Sequence, residues 1–331
     1  MAKKLVLHLG LPKTATTTMQ KHFFSRFEGY QGKEYYLGKP VSDELYSIFH
    51  EAQSLQTSGR DWEHELSLWA KRLNFSAYPT QILSQEGLSG WPGPLWPDSS
   101  EWPVQKPAPG ETPRRSPHPN IDFLTTLRDF LPAEVDLLTI VTLRNQTDFL
   151  GSLAAQTSTS QPGAVTSVIE RRDAFVDFFT LVTDLETLVG ASNHLTLLFE
   201  DGVEHNCDRI LDFMGASLVD SAAPLKLGGK ENVRAVRDSV WEYSVKGKSY
   251  RNSAIWLAVR RFFPARLREI MHPGSNRIAA VLDKLNILYG PRESQFVSVS
   301  EDERRAIRSY CGPSNTLLAQ HLERDLVSLR Y

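Results

Sequence analysis

Lys13 stands at the head of a cluster of hydroxyl side chains, Thr14, Thr16, Thr17 and Thr18, within the stretch KLVLHLGLPKTATTTMQ from Lys4 to Gln20. One cation and several hydroxyl donors so closely spaced suit an anion, a phosphate above all. The residues before them, Leu5, Leu7 and Leu9 with Val6 among them, read as a buried strand that Gly10 and Pro12 break. From about Ala15, Met19, Phe23, Phe24 and Phe27 recur at helical spacing. Strand, tight turn and helix start would present backbone N–H groups and the positive end of a helix dipole to one point. A Walker A loop needs G-x-x-x-x-G-K-[ST]. Here no Gly-Lys-Ser/Thr follows Gly10, and Lys13 comes only three residues after that glycine.

A second group is Arg144 with Ser152, eight residues later in TLRNQTDFLGS. A guanidinium offers a planar fork to phosphate oxygens and a serine adds one more donor. A strand-end arginine in a structural ion pair fits the same residues. Glu86, after the apolar run TQILS at 80–84, is the candidate base, and a bracing glutamate is its other reading. His118 is the alternative base. His8, inside the first strand, reads as a packed core histidine.

The pattern G-x-P-K-[TS]-x-[TS]-[TS], Gly10 to Thr17, resembles the 5′-phosphosulfate loop of sulfotransferases that use 3′-phosphoadenosine 5′-phosphosulfate (PAPS), usually written P-K-T-G-T-T. Ala15 stands where that family has glycine, and alanine suits the position only if φ stays negative. Arg144 and Ser152 resemble the family's 3′-phosphate site, R-[DN]-P followed by a serine, with Gln146 in place of the proline. Leu197–Gly215 is similar to the family's strand-then-helix segment, in which Glu200 and Asp201 are expected to cap or brace. Lys230, Asn232 and Arg234, after Gly228 and Gly229, resemble its C-terminal cofactor loop, and a solvated loop fits them nearly as well. Gly312–Leu322 resembles a closing helix. The likeness covers most of the chain except 90–119 and about 240–300.

The resemblance implies one sulfotransferase-like domain over 1–331, a P-loop-like three-layer α/β fold with a central parallel sheet flanked by helices. It implies transfer of a sulfuryl group from PAPS to an acceptor hydroxyl of a sugar, glycolipid or small metabolite, leaving 3′,5′-ADP, with no metal. Lys13, Thr14, Ala15, Thr16, Thr17, Thr18, Arg144, Ser152, Lys230, Asn232 and Arg234 would bind the co-substrate. Lys13 and Glu86 would be catalytic. Two other functions stand beside this one. An ATP- or GTP-dependent kinase or hydrolase would want an acidic residue after a buried strand, where Arg144 stands instead. A non-catalytic nucleotide-binding module would keep the loop and tolerate loss of Glu86.

These residues need elements to hold them. Helical spacing is expected within 43–74, 121–131, about 146–189 and 203–214, and strands at 80–84, 137–143 and 194–200. LLTIVTL at 137–143 is apolar without alternation, as in a strand covered on both faces of a parallel sheet. Strands alternating with helices point to such a sheet, doubly wound, with ligands beyond the carboxyl ends of the strands. Residues 90–119 carry about half of the chain's 19 prolines together with Trp91, Trp96 and Trp102, and are expected to be an insertion, disordered or forming a lid over the acceptor pocket.

The length of 331 residues and an apolar content of 41% suit one large α/β domain or two small ones. No apolar run is long enough for a transmembrane helix. The start MAKKLVLHLG runs straight into the anion turn and is not expected to be a signal peptide. Two cysteines, Cys207 and Cys311, suggest a reduced, cytoplasmic setting. A net charge of −2 argues against a nucleic-acid partner. Residues 246–268 hold seven basic residues and no acidic one. A core helix with a solvated basic face fits them, and so does a surface for an anionic acceptor or membrane headgroups.

Overall fold

The computed structural model of the chain describes residues 3–11, 14–31, 41–53, 61–89, 119–157, 176–215, 235–237, 240–245 and 293–331, and elements are numbered in order among these. Their backbone contacts gather into two compact units, Met1–Val233 with Val299–Tyr331, and Arg234–Ser298.

The first unit is built on four strands: β1 (Lys3–His8), β2 (Thr80–Ser84), β3 (Val135–Leu143) and β4 (His194–Leu198). They lie in the order β2-β1-β3-β4, every neighbouring pair parallel. Parallel strands need crossovers, and helices supply them. Between β1 and β2 run α1 (Thr16–His22), α2 (Val41–Gln53) and α3 (Trp62–Lys71). Between β2 and β3 lies α4 (Pro119–Phe130), and between β3 and β4 lie α5 (Gln146–Thr157) and α6 (Phe178–Val189). α7 (Val203–Met214) follows β4, and α8 (Glu301–Leu322) closes the unit.

Alternation along the strands sorts their side chains between two covered faces. Val6, Ile82, Leu138, Ile140 and Leu197 form one core with Met19, Phe23, Phe24 and Phe27, which follow β1, and with Cys207, Ile210 and Met214 of α7. The intervening Leu5, Leu7, Leu83, Leu137, Val141, Leu143 and Leu198 point the other way and are equally buried. α6 packs on β3 and β4, and α2 on β2. The structure is therefore α/β, a central parallel sheet flanked by helices.

Two boundaries that bear on the site differ from the sequence reading. β4 ends at Leu198, and Phe199–Asp201 turn as a 3-10 helix. That turn carries the Glu200 carboxylate back to the backbone N–H of Asn145. The closing helix starts at Glu301, not near Gly312, and runs through Gly312 and Pro313. A capping box fixes the start: Ser300 Oγ accepts from Glu303 N, and the Glu303 carboxylate accepts from Ser300 N.

The second unit is described only as three short strands, β5 (Ala235–Arg237), β6 (Val240–Val245) and β7 (Glu293–Ser298), paired antiparallel in that order. No helix among the described residues is long and apolar enough to cross a membrane.

Candidate functional site

Because β1 lies between β2 and β3, with all three strands parallel, the turns leaving them emerge side by side at one sheet edge. The backbone stitches the turns together. Gln85 N donates to the His8 carbonyl at 3.1 Å, and Leu9 N donates to the Ile140 carbonyl at 2.8 Å. The stretch with Thr14–Thr18 thus leaves the sheet with Glu86 following β2 on one flank and Arg144 following β3 on the other.

Within the first turn, the Thr14 hydroxyl donates to the Leu11 carbonyl at 2.6 Å, which holds the loop closed locally. Ala15 has φ 61 and ψ 20, a left-handed conformation, as the residue before α1. This corrects the expectation of a negative φ. Alanine here occupies the backbone state that a glycine would take without strain. Thr16 is buried at 2% exposure, while Thr17 and Thr18 are half-buried. Lys13 lies outside the described residues, as do His118, Lys230, Asn232, Arg234, the insertion up to residue 118, and 246–268.

Glu86 is half-buried and opens the 3-10 turn Glu86–Ser89. Its neighbour Gln85 anchors that turn. The Gln85 side-chain amide donates to Asp43 Oδ1 at 2.9 Å, and its carbonyl oxygen accepts from Gly87 N at 3.3 Å.

Arg144 is half-buried, with its guanidinium 4.7 Å from the centre of the Phe199 ring. Burial lowers its pKa, while the charges of Asp148 and Glu200 and the Tyr331 phenol pull it back up. Asn145 starts α5, its side-chain oxygen accepting from Asp148 N at 3.0 Å. Ser152 lies four residues beyond Asp148 on α5 and is half-buried, so Asp148 and Ser152 share one helix face after Arg144.

Glu200 and Asp201 brace this edge. Glu200 accepts from Asn145 N at 2.9 Å and from the Tyr331 hydroxyl at 2.9 Å. Burial raises its carboxyl pKa, and those hydrogen bonds together with Arg144 oppose the rise. Asp201 receives a bidentate pair from Arg324, at 2.6 and 3.1 Å.

His8 is fully buried, and burial pushes its imidazole down to about 3. It has a polar neighbour that sequence reading missed: Nδ1 lies 2.7 Å from Ser84 Oγ. The β1–β2 register, which pairs His8 with Ser84, creates that contact. Among the described residues no group of three or more His, Cys, Asp or Glu side chains is arranged to hold a metal ion.

No protein-family model and no curated protein matches the chain. A solved structure does. The chain is similar to a sulfotransferase from Alicyclobacillus acidocaldarius, known from its crystal structure, at 11% identity over 100% of both chains with a TM-score of 0.46. At that level the likeness assigns neither an activity nor a ligand to this chain.

Proposed function

We propose that the chain is a sulfotransferase that moves a sulfuryl group from PAPS to an acceptor hydroxyl. The observation that carries this reading is the shared edge, where the hydroxyl-rich turn after β1 is flanked by Glu86 and by Arg144. The carboxylates after β4 are engaged by Asn145, Tyr331 and Arg324. That arrangement favours this reading over a kinase or hydrolase holding a cation there.

In the proposed reaction, the acceptor oxygen attacks sulfur as the bond from sulfur to the bridging phosphate oxygen breaks. Glu86 takes the acceptor proton, and the electron pair of the broken bond leaves on 3′,5′-ADP. Charge builds on that bridging oxygen, so donors held near it stabilise the transition state more than the ground state. Lys13 and the threonine turn are assigned that role from the sequence. Arg144 and Ser152 hold the 3′-phosphate, with Arg144 kept in place by Phe199. Lys230, Asn232 and Arg234 are assigned co-substrate contacts from the sequence resemblance alone. The acceptor is a sugar, glycolipid or small-metabolite alcohol.

Calorimetric titration with 3′,5′-ADP, 5′-AMP and ATP tests the reading. The intact chain should bind 3′,5′-ADP far more tightly than the other two. Arg144→Ala should remove most of the preference over 5′-AMP, on the order of 1.5–3 kcal/mol for a charge-assisted contact. Glu86→Gln should keep 3′,5′-ADP affinity and lower turnover by about 10²-fold or more. Equal affinity of the intact chain for 3′,5′-ADP and 5′-AMP would sink the reading.

A further inference from the structure

Three polar side chains from three elements meet beneath the first turn, on the sheet face that α1 covers. Gln20 Nε2, from α1, lies 2.9 Å from the Ser84 carbonyl oxygen and 3.2 Å from Ser84 Oγ. A carbonyl oxygen only accepts, so the NH₂ end of the Gln20 amide must face Ser84, and an NH₂ group only donates. Ser84 Oγ accepts from Gln20 and could accept once more, but among the described residues the acceptor within reach of its own buried hydrogen is His8 Nδ1, 2.7 Å away, so that hydrogen is satisfied by donating there. Nδ1 is then the accepting nitrogen. The buried ring is neutral, its pKa pushed down to about 3, so its one hydrogen sits on Nε2.

His8 Nε2 is buried and has no hydrogen-bond partner among the described residues, and the same holds for Thr16 Oγ1. Both side chains are at least nine-tenths buried, at 0% and 2% exposure. The two atoms converge on the side-chain-free face of Gly10. A Cβ added there would lie 3.1 Å from His8 Nε2 and 2.9 Å from Thr16 Oγ1. A side chain at position 10 would collide with both groups. Burying one unpaired donor costs about 1–3 kcal/mol, and two at one point are retained most simply if something fills them.

We propose that His8 Nε2–H and the Thr16 hydroxyl jointly donate to one oxygen of a phosphate or sulfate group bound at this turn, with Gln20 and Ser84 fixing the tautomer that makes His8 a donor. The inference rests on the sulfotransferase reading for the identity of the co-substrate, but the donor pair stands on its own geometry. It makes His8 a binding residue and Gln20 and Ser84 positioning residues, and gives position 10 a steric reason to be glycine.

The test is ¹⁵N NMR of the histidine side chains in the full chain, with His8→Phe used to assign His8. The free protein should show His8 as the neutral Nε2–H tautomer. Saturating 3′,5′-ADP should move the Nε2 nitrogen and its proton downfield and leave Nδ1 an acceptor. Inorganic phosphate and inorganic sulfate, added separately, distinguish which group the pair takes. His8→Gln, which keeps an amide donor near the Nε2 position, should bind 3′,5′-ADP within a few-fold of wild type, whereas His8→Phe should lose at least about tenfold. An Nδ1–H tautomer, or an Nε2 signal unmoved by bound 3′,5′-ADP, overturns the proposal even if both variants fail to fold. If the intact chain binds no 3′,5′-ADP, the sulfotransferase reading falls by itself. Inorganic phosphate then decides the donor pair, a shifted Nε2 supporting it and an unmoved one overturning it.

Discussion

Ala15 carries a conformation that L-residues avoid, φ 61 and ψ 20, between the Thr14 hydroxyl bond to Leu11 and the first turn of α1. Its carbonyl nevertheless accepts the first helical bond, from Met19 N at 3.0 Å, so the strain is held by the helix on one side and the closed loop on the other. A left-handed L-residue costs roughly 1–2 kcal/mol. Glycine removes that cost and gives back part of it as unfolded-state entropy. Ala15→Gly should therefore raise unfolding free energy by about 0.5–1 kcal/mol in urea titration, with 3′,5′-ADP affinity unchanged or improved. A destabilised Ala15→Gly protein would mean that the alanine methyl packs in a way that outweighs its backbone strain. Arg144 poses a different problem at the same scale, because Asp148 and Glu200 offer it two carboxylates. A bound phosphate would have to compete with both, which is why the 5′-AMP comparison is the sensitive one.

Among the elements, the turn after α8 does more than end the helix. Arg324 clamps Asp201, Asn145 reaches the Leu329 carbonyl at 3.4 Å, and the Tyr331 ring meets Phe178 edge-on at 6.5 Å while its hydroxyl donates to Glu200. These contacts tie together the turns that leave β3 and β4. Tyr331→Phe keeps the ring and strips one donor from a half-buried carboxylate, so it should cost about 1–2 kcal/mol. Tyr331→Ala should cost more by also losing the ring packing, and identical thermal midpoints for wild type and Tyr331→Phe would show that the bond contributes nothing. The strands that position the site were legible because short apolar runs such as TQILS and LLTIVTL have few alternatives in an α/β chain. The placement of the threonine cluster after β1 and of Arg144 after β3 was legible because their spacing from those strands is local. The start of α8 was obscured by Gly312 and Pro313, which look like a boundary, although the Ser300–Glu303 box was there to be read. The His8–Ser84 contact was beyond reach, since it depends on a register between strands 76 residues apart.

At the scale of the whole molecule, the sheet buries two histidines, one on each face. His8 lies on the α1 side. His194 lies on the other, with Nδ1 2.8 Å from Thr139 Oγ1 and Nε2 2.9 Å from Thr196 Oγ1. Burial lowers His8 to about 3 and His194 to about 4, with His321 adding to the latter. Both folded values lie below the ordinary 6.5, so protonation favours the unfolded chain. Their stabilising contribution is complete above about pH 6.5 and is lost as pH falls toward 4 for His194 and 3 for His8. Each histidine contributes a slope of about 1.4 kcal/mol per pH unit once the unfolded chain is protonated. Glu200 acts in the opposite sense, because burial raises its folded pKa, and its effect belongs to the lower end of the range. Urea unfolding of the unit that carries the four-stranded sheet should therefore lose about 4 kcal/mol between pH 7 and pH 5. His194→Gln should remove roughly half of that fall, whatever it does to stability at pH 7, because glutamine keeps polar contacts and does not titrate. The slope is the decisive measurement. A stability that does not change from pH 7 to pH 5, or a slope unaltered in His194→Gln, would mean that these histidines are solvated or already charged within the fold.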